Sequence, residues 1–173
     1  SYETVCGSAA PEIKFSHLAV GSNVDLENVP HNKYPGENIN ALVNGIGGTI
    51  NYRDPSWQGY EAEDLIATVD LGEIRNINSV RVRFLQDQVV WIFLPKKVQI
   101  EHSLDGKAFE IIHESYPDNS FSYDQDIFEY SAKLYNKKLR YIRIKGYNIN
   151  KCPDYHPGAG GPSWVFADEI IVK

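Results

Sequence analysis

The sequence predicts an all-β domain, a sandwich or jelly roll of about eight strands, on three observations. Apolar and polar residues alternate with a period of two in several short runs. Turns rich in Gly and Pro separate those runs at regular spacing. No stretch holds a helical period for more than a turn or two. A chain of 173 residues is long enough for one such domain with a substantial core.

The elements follow in order. Ser1 to Ser16 has little periodicity and reads as a linker or N-terminal arm, with the domain running from 17 to 173. A chain that starts at Ser1 and contains no Met reads as a piece of a longer protein. His17 to Gly21 with Val24 to Leu26 form a first strand, and Pro30 to Glu37 is a loop. Asn38 to Gly48 begins as a short apolar turn and ends in a glycine-rich loop. Tyr52 to Tyr60 is a turn carrying three aromatics and Arg53. Leu65, Ala67, Val69 and Leu71 alternate along a strand that ends at Gly72. Val80, Val82 and Phe84 form the next, against Arg81 and Arg83 on the wet face. Val98, Ile100 and His102 form a third, with Gln99, Glu101 and Ser103 turned to water. Asp105-Gly106 supplies the positive-φ residue of a tight hairpin, returning through Phe109, Ile111 and Ile112. Tyr116 to Asp126 is a polar, aromatic-rich loop. Phe128 to Ala132 is a short strand, and Arg140 to Lys145 a separate one. Asn150 to Ser163 holds three prolines and three glycines and cannot be regular, while Trp164 to Val172 is the last strand.

Composition excludes several functions. A net charge of −6 without a clustered basic patch argues against nucleic acid and anionic membranes. The Trp91-Ile92-Phe93-Leu94 run has no basic neighbour before Lys96, so it does not read as a membrane spike. Cys6 and Cys152 sit in no CxxC; they either pair, if the chain ends meet, or stay as two thiols. No metalloprotease, hydrolase-elbow or kinase motif is present. Asp168 and Glu169 are adjacent on a strand and point to opposite faces, so they cannot act on one substrate atom. The domain itself is therefore expected to be non-catalytic.

Binding is the better reading. A sugar ring has an apolar face edged by hydroxyls, and it needs a flat aromatic together with hydrogen-bonding side chains. Three loops supply that mixture: 52–60, 86–93 and 154–164. The alternative for Trp57, Trp91 and Trp164 is that they plug the ends of the sandwich. The 44–49 loop is rich in oxygen acceptors, so it is either a calcium loop or a plain glycine turn.

The chain resembles the factor 5/8 type C, or discoidin-like, domain. LVNG, TVDLG, the Val80–Phe84 strand, PKKVQIEHSLDGKAF, LRYIRIKG and ADEIIV carry that resemblance. FLQDQVVWIFLPKKV and CPDYHPGAGGPSWVFADEI further resemble the C-terminal module of Bacteroides-type chitobiases, β-N-acetylhexosaminidases of glycoside hydrolase family 20. The resemblance implies a galactose-binding-like jelly roll with ligand loops at one end. It implies a module binding terminal Gal, GalNAc or GlcNAc of glycans or amino-sugar oligosaccharides, beside a glycosidase catalytic domain in cis. It also implies a bacterial periplasmic, outer-membrane-associated or secreted setting. The family's structural calcium would fall on Asn44, Thr49 and Glu169, with Asn44 in place of the usual Asp. Trp57, Trp91 and Tyr155 are then the expected stacking surfaces. Arg53, Gln86, Asp87, Gln88, Asp154 and His156 are the expected hydroxyl partners. The alternative is a structural module that docks on the catalytic domain and binds no sugar.

Overall fold

The alternation that begins at Leu65 does not stop at Gly72. In the computed structural model, which describes residues 12–173, Leu65–Gln86 is one strand of 22 residues, β5. Four short strands precede it: β1 Ile13–Lys14, β2 Asn23–Leu26, β3 Ile46–Gly47 and β4 Gln58–Glu61. It is followed by β6 Lys97–Ser103, β7 Glu110–Ser115, β8 Asp126–Tyr147 and β9 Trp164–Val172. The two strands expected at 128–132 and 140–145 are parts of β8, which is also 22 residues long. Residues with positive φ explain both mergers: Gly72 at +83° in β5, Tyr135 at +48° and Asn136 at +64° in β8. They absorb surplus residues where the β5–β8 register shifts, between Asp70 and Arg75 and between Ile77 and Ser79. Such bulges bend a strand without ending it.

The bends let β5 and β8 serve two layers. The first half of β5 pairs with β2 and with 141–146 of β8, which continue into β6 and β7. The second half pairs with 126–133 of β8 and with β9, which continues into β4. Among the described residues every pairing between these strands is antiparallel. Inward residues from both layers share one core: Leu65, Ala67 and Val69 with Ile142 and Ile144, facing Val80, Val82, Phe84, Val165 and Ile170. Each fully buried Val, Leu, Ile or Phe contributes roughly 1.5–3 kcal/mol of apolar transfer.

Three local expectations change. His17 to Gly21 is a turn, and only 23–26 of that stretch is strand. The supposed wet face of β6 is covered: Gln99, Glu101 and Ser103 are buried, and Glu101 lies 2.9 Å from Lys145 and 3.4 Å from Arg143. Residues 13–14 of the expected arm pair with the glycine loop through β1–β3, and the Phe15 N–H donates to Gly45 O at 2.7 Å. Cys6 lies outside the described residues. Cys152 is buried, and burial pushes its thiol pKa up. Among the described residues no helix is long and apolar enough to cross a membrane.

A second, smaller apolar cluster organises the loops. Leu85 and Phe166 alternate with Phe84 and Val165, so they point out of the sandwich. Trp57 and Ile92 cover them from the 52–60 and 86–93 loops.

Candidate functional site

The segment after β5 makes a single 3₁₀ turn, Gln88–Val90, and ends with Trp91 at φ +72°. That conformation is costly for a bulky side chain, of order 1–3 kcal/mol, and it persists only where its surroundings enforce it. Here the Trp91 N–H donates to Gln88 O at 2.9 Å, and Trp91 O accepts the Trp164 N–H at 2.9 Å. Residues 88–92 thus form a ridge fixed to the start of β9.

Two loops are fastened to this ridge. In the 116–126 loop, the Asn119 side chain acts as a strand partner to Leu94, donating to its carbonyl at 2.8 Å and accepting its N–H at 3.0 Å. Gln88 donates to Ser120 O at 2.9 Å and accepts the Ser122 N–H at 3.2 Å, while Gln125 donates to Asp87 at 2.7 Å. In the 150–163 loop, His156 is the fastening. Its Nδ1 accepts the Gly158 N–H at 2.9 Å, so the proton sits on Nε2, which donates to Gln88 O at 2.7 Å. Gly158 and Gly161 close over the Trp91 indole; a Cβ on either would lie 2.4 and 2.7 Å from ring carbons.

Between the ridge and the two loops lies an open cleft of about 200 Å³, lined by Val89, Trp91, Phe121, Ser122, Tyr123 and Tyr155 with the buried Gln88 and His156 behind them. Its aromatics are on show: Tyr123 is 76% exposed, Phe121 46% and Tyr155 45%. Phe121 packs edge-on to Tyr123 at 4.5 Å and to Tyr155 at 5.8 Å. The Tyr155 hydroxyl donates to Asn119 O, which fixes the ring's direction. Burial, and after it the nearby Asp118 carboxylate, push the Tyr155 phenol pKa up. Ser120 hydrogen bonds hold the Asp118 pKa below the usual carboxylate value.

The structure brings Trp91, Tyr155, Gln88 and His156 together and separates the rest. Trp57 is not a stacking surface: it is 1% exposed, and its Nε1–H donates to Thr49 O at 2.8 Å. His156 is 4% exposed and has both nitrogens engaged, so it supports the cleft and does not meet a ligand hydroxyl. Gln88 and Asp87 are likewise buried structural groups, and Gln86 is buried at the end of β5 opposite Asp126. Asp154 is exposed but lines no wall of the cleft. Arg53 lies away from it, with its guanidinium 5.2 Å from the Tyr52 ring centroid. The missed members are Phe121, Ser122 and Tyr123. Their loop was visibly aromatic, but nothing local says that Asn119 and Gln88 tie it to the ridge from about 30 residues apart.

The three expected calcium ligands do not assemble an oxygen shell. Asn44 Oδ1 accepts the Ile46 N–H at 2.8 Å, and Thr49 Oγ1 accepts the Asn51 N–H at 3.3 Å. Glu169 Oε1 accepts the Gly45 N–H at 3.0 Å and lies 2.7 Å from His17 Nε2. Of the three, Glu169 alone keeps a buried oxygen without a partner, Oε2, and the adjacent Asp168 keeps Oδ1. Calcium takes six to eight oxygens, whereas this loop aims N–H groups at the carboxylates. The adjacent Asp168 accepts the Gly48 N–H at 2.6 Å and pairs with Arg83 at 3.3 Å. The glycines are needed for close approach: a Cβ on Gly47 would lie 2.2 Å from Arg83, and one on Gly48 2.5 Å from Trp57.

Neither a family model nor a curated protein matches the chain. Solved structures do. Chitosan-binding module 1 of a chitosanase/glucanase from Paenibacillus sp. IK-5 superposes with a TM-score of 0.57 at 12% identity, over 92% of this chain and 99% of that one. A Streptococcus pneumoniae fucose binding module gives 0.55 at 15% identity, over 91% and 94%. CpGH89CBM32-4 of Clostridium perfringens, solved with GlcNAc-α-1,4-galactose, gives 0.54 at 13% identity, over 96% and 97%. At these identities the likeness is one of architecture: the chain folds as the discoidin-like β-sandwich that these carbohydrate-binding modules share.

Proposed function

We propose that the chain is a non-catalytic carbohydrate-binding module that holds a sugar ring in the Trp91–Phe121–Tyr123–Tyr155 cleft. The observation that carries this reading is the exposure of Phe121, Tyr123 and Tyr155 around one pocket that a buried hydrogen-bond frame holds open. Aromatic faces left in water by a rigid frame suit the apolar face of a sugar. The frame occupies His156 and Gln88, so the Ser122 and Tyr123 hydroxyls are the groups left for sugar hydroxyls. Few polar contacts mean weak binding, on the order of 1 mM, about −4 kcal/mol. A module this weak acts by raising the local concentration of substrate for a tethered enzyme.

Similar folds in modules named for chitosan and fucose, and in one solved with GlcNAc-α-1,4-galactose, support a glycan as ligand. The resemblance to chitobiase C-terminal segments extends the proposal. The parent is a β-N-acetylhexosaminidase of the periplasm or exterior, and the sugars are terminal Gal, GalNAc or GlcNAc. The test is an NMR titration with GlcNAc, GalNAc, galactose and chitobiose. Saturable shifts at residues 88–91, 121–123 and 155–157 are expected. No shifts at high millimolar sugar, together with stabilisation of a parent catalytic domain by the module, would replace this reading with docking.

A further inference from the structure

We propose that the cleft on the other side of the 88–92 ridge is a second sugar subsite, so that the preferred ligand is an oligosaccharide lying across the ridge. This rests on the reading of the first cleft as a sugar site. The second cleft, about 270 Å³, is lined by Tyr34, Tyr52, Trp164 and Phe166, with Lys33 and Glu61 at its edge and Val90 and Ile92 as its wall on the ridge.

Three observations carry the inference. The two clefts share a wall. Val89 and Trp91 line the first, and Val90 and Ile92 line the second. Consecutive residues are about 3.8 Å apart, so the clefts adjoin across one turn of chain. Trp164, in the second cleft, is hydrogen-bonded to Trp91 of the first at 2.9 Å, so the two are rigidly connected. The second cleft also has sugar-binding chemistry of its own. Tyr34 meets Trp164 edge-on at 5.3 Å and Tyr52 at 6.1 Å, and all three rings are only partly buried, so part of each stays open to the cleft. Exposed Lys33 supplies N–H donors, and Glu61, 3.6 Å from His31, supplies acceptors, which together suit hydroxyls that both give and accept. Finally, these aromatics exceed what the small cluster beneath them needs: Trp57, Leu85, Ile92 and Phe166 are already buried, whereas Tyr34, Tyr52 and Trp164 remain partly open.

The experiment is isothermal titration of the 173-residue chain with GlcNAc against chitotriose and galactose against lactose, repeated with Tyr52→Ala and Lys33→Ala. For the sugar that binds, the oligosaccharide is expected to bind about tenfold more tightly than its monosaccharide, the worth of one further aromatic contact. Tyr52→Ala is expected to remove that gain and leave monosaccharide binding intact. Lys33→Ala, at an exposed position, gives the same readout at smaller size without the packing change. Equal affinity for mono- and oligosaccharide, unmoved by either variant, would overturn the second subsite and leave the first standing. No binding of any sugar would overturn both.

Discussion

Side chains of similar appearance in the sequence have opposite roles here, and burial decides which. Trp57 is sealed against Leu85, Ile92 and Phe166, so Trp57→Ala should cost about 3–5 kcal/mol, read by urea denaturation. Tyr123 stands in solvent, so Tyr123→Ala should change stability by no more than about 0.5 kcal/mol. The same substitution should weaken sugar binding by about 0.5–1.5 kcal/mol, two- to tenfold. If Tyr123→Ala left affinity unchanged, the cleft assignment would be wrong. His156 illustrates why a polar loop residue misleads. Between two prolines it reads as a ligand group, yet both nitrogens join backbone groups of this loop and of the ridge. Its replacement by Ala should loosen both segments, at about 1–3 kcal/mol for the unpaired groups left behind. Amide exchange at Gly158 would show it as lost protection.

At the scale of elements, glycine and aspartate set loop shape by different means. Gly158 lies flat against Trp91, and Gly160, at φ +78°, has open space where a Cβ would go. Gly158→Ala should therefore push Trp91 aside and lower sugar affinity. Gly160→Ala should cost only local strain, about 1 kcal/mol, with the cleft intact. Trp fluorescence and the sugar titration separate the two. In the β6–β7 hairpin, Asp105 accepts the N–H groups of Lys107 and Ala108, and these bonds bring its pKa down to about 2. A depressed carboxylate favours the folded hairpin above the ordinary value of 3.8, and that contribution is lost as pH falls through about 2. Carboxyl NMR should show Asp105 titrating near the lower value, and Asp105→Asn should remove the acid-dependent shifts of Lys107 and Ala108. A titration near 3.8 would mean that the turn does not hold its carboxylate. This hairpin was legible in the sequence because Asp-Gly fixes a turn locally. The continuity of β5 and β8 was not, because Gly72 and Tyr135-Asn136 signal a stop in one dimension and a bend in three.

For the whole molecule, the sandwich was legible and half of the site was not. Alternation marks which residues face inward, and Val80, Val82 and Phe84 do. The cleft depends on contacts between segments about 30 to 70 residues apart, Gln88 with Ser120 and His156 with Gln88, which no local pattern encodes. Calcium at Asn44, Thr49 and Glu169 turns on contacts of the same kind. An oxygen-rich loop was visible, but not that His17 and the Gly45 N–H take up Glu169 from elsewhere in the fold. Addition of calcium or of EDTA should therefore leave the thermal midpoint unchanged; a calcium-dependent rise would restore the metal. Charge around the cleft discriminates among sugars. The segments that form the cleft carry Asp87, Asp118, Asp124, Asp126 and Asp154 against Lys151, within a chain of net −6. Asp118 is held ionised beside Tyr155. An anionic sugar would approach against this field, while an unacetylated amino sugar would approach with it and could place its ammonium over an aromatic face, worth about 0.5–1 kcal/mol at an exposed site. Glucosamine oligomers should bind at least as tightly as their acetylated forms, with an advantage that shrinks as salt rises from about 0.01 to 0.15 M and the screening length falls. Sialylated or uronic-acid sugars should not compete. Tight binding of an anionic sugar would show that the aromatic cleft works against its own charge, and the ligand class would have to be sought elsewhere on the surface.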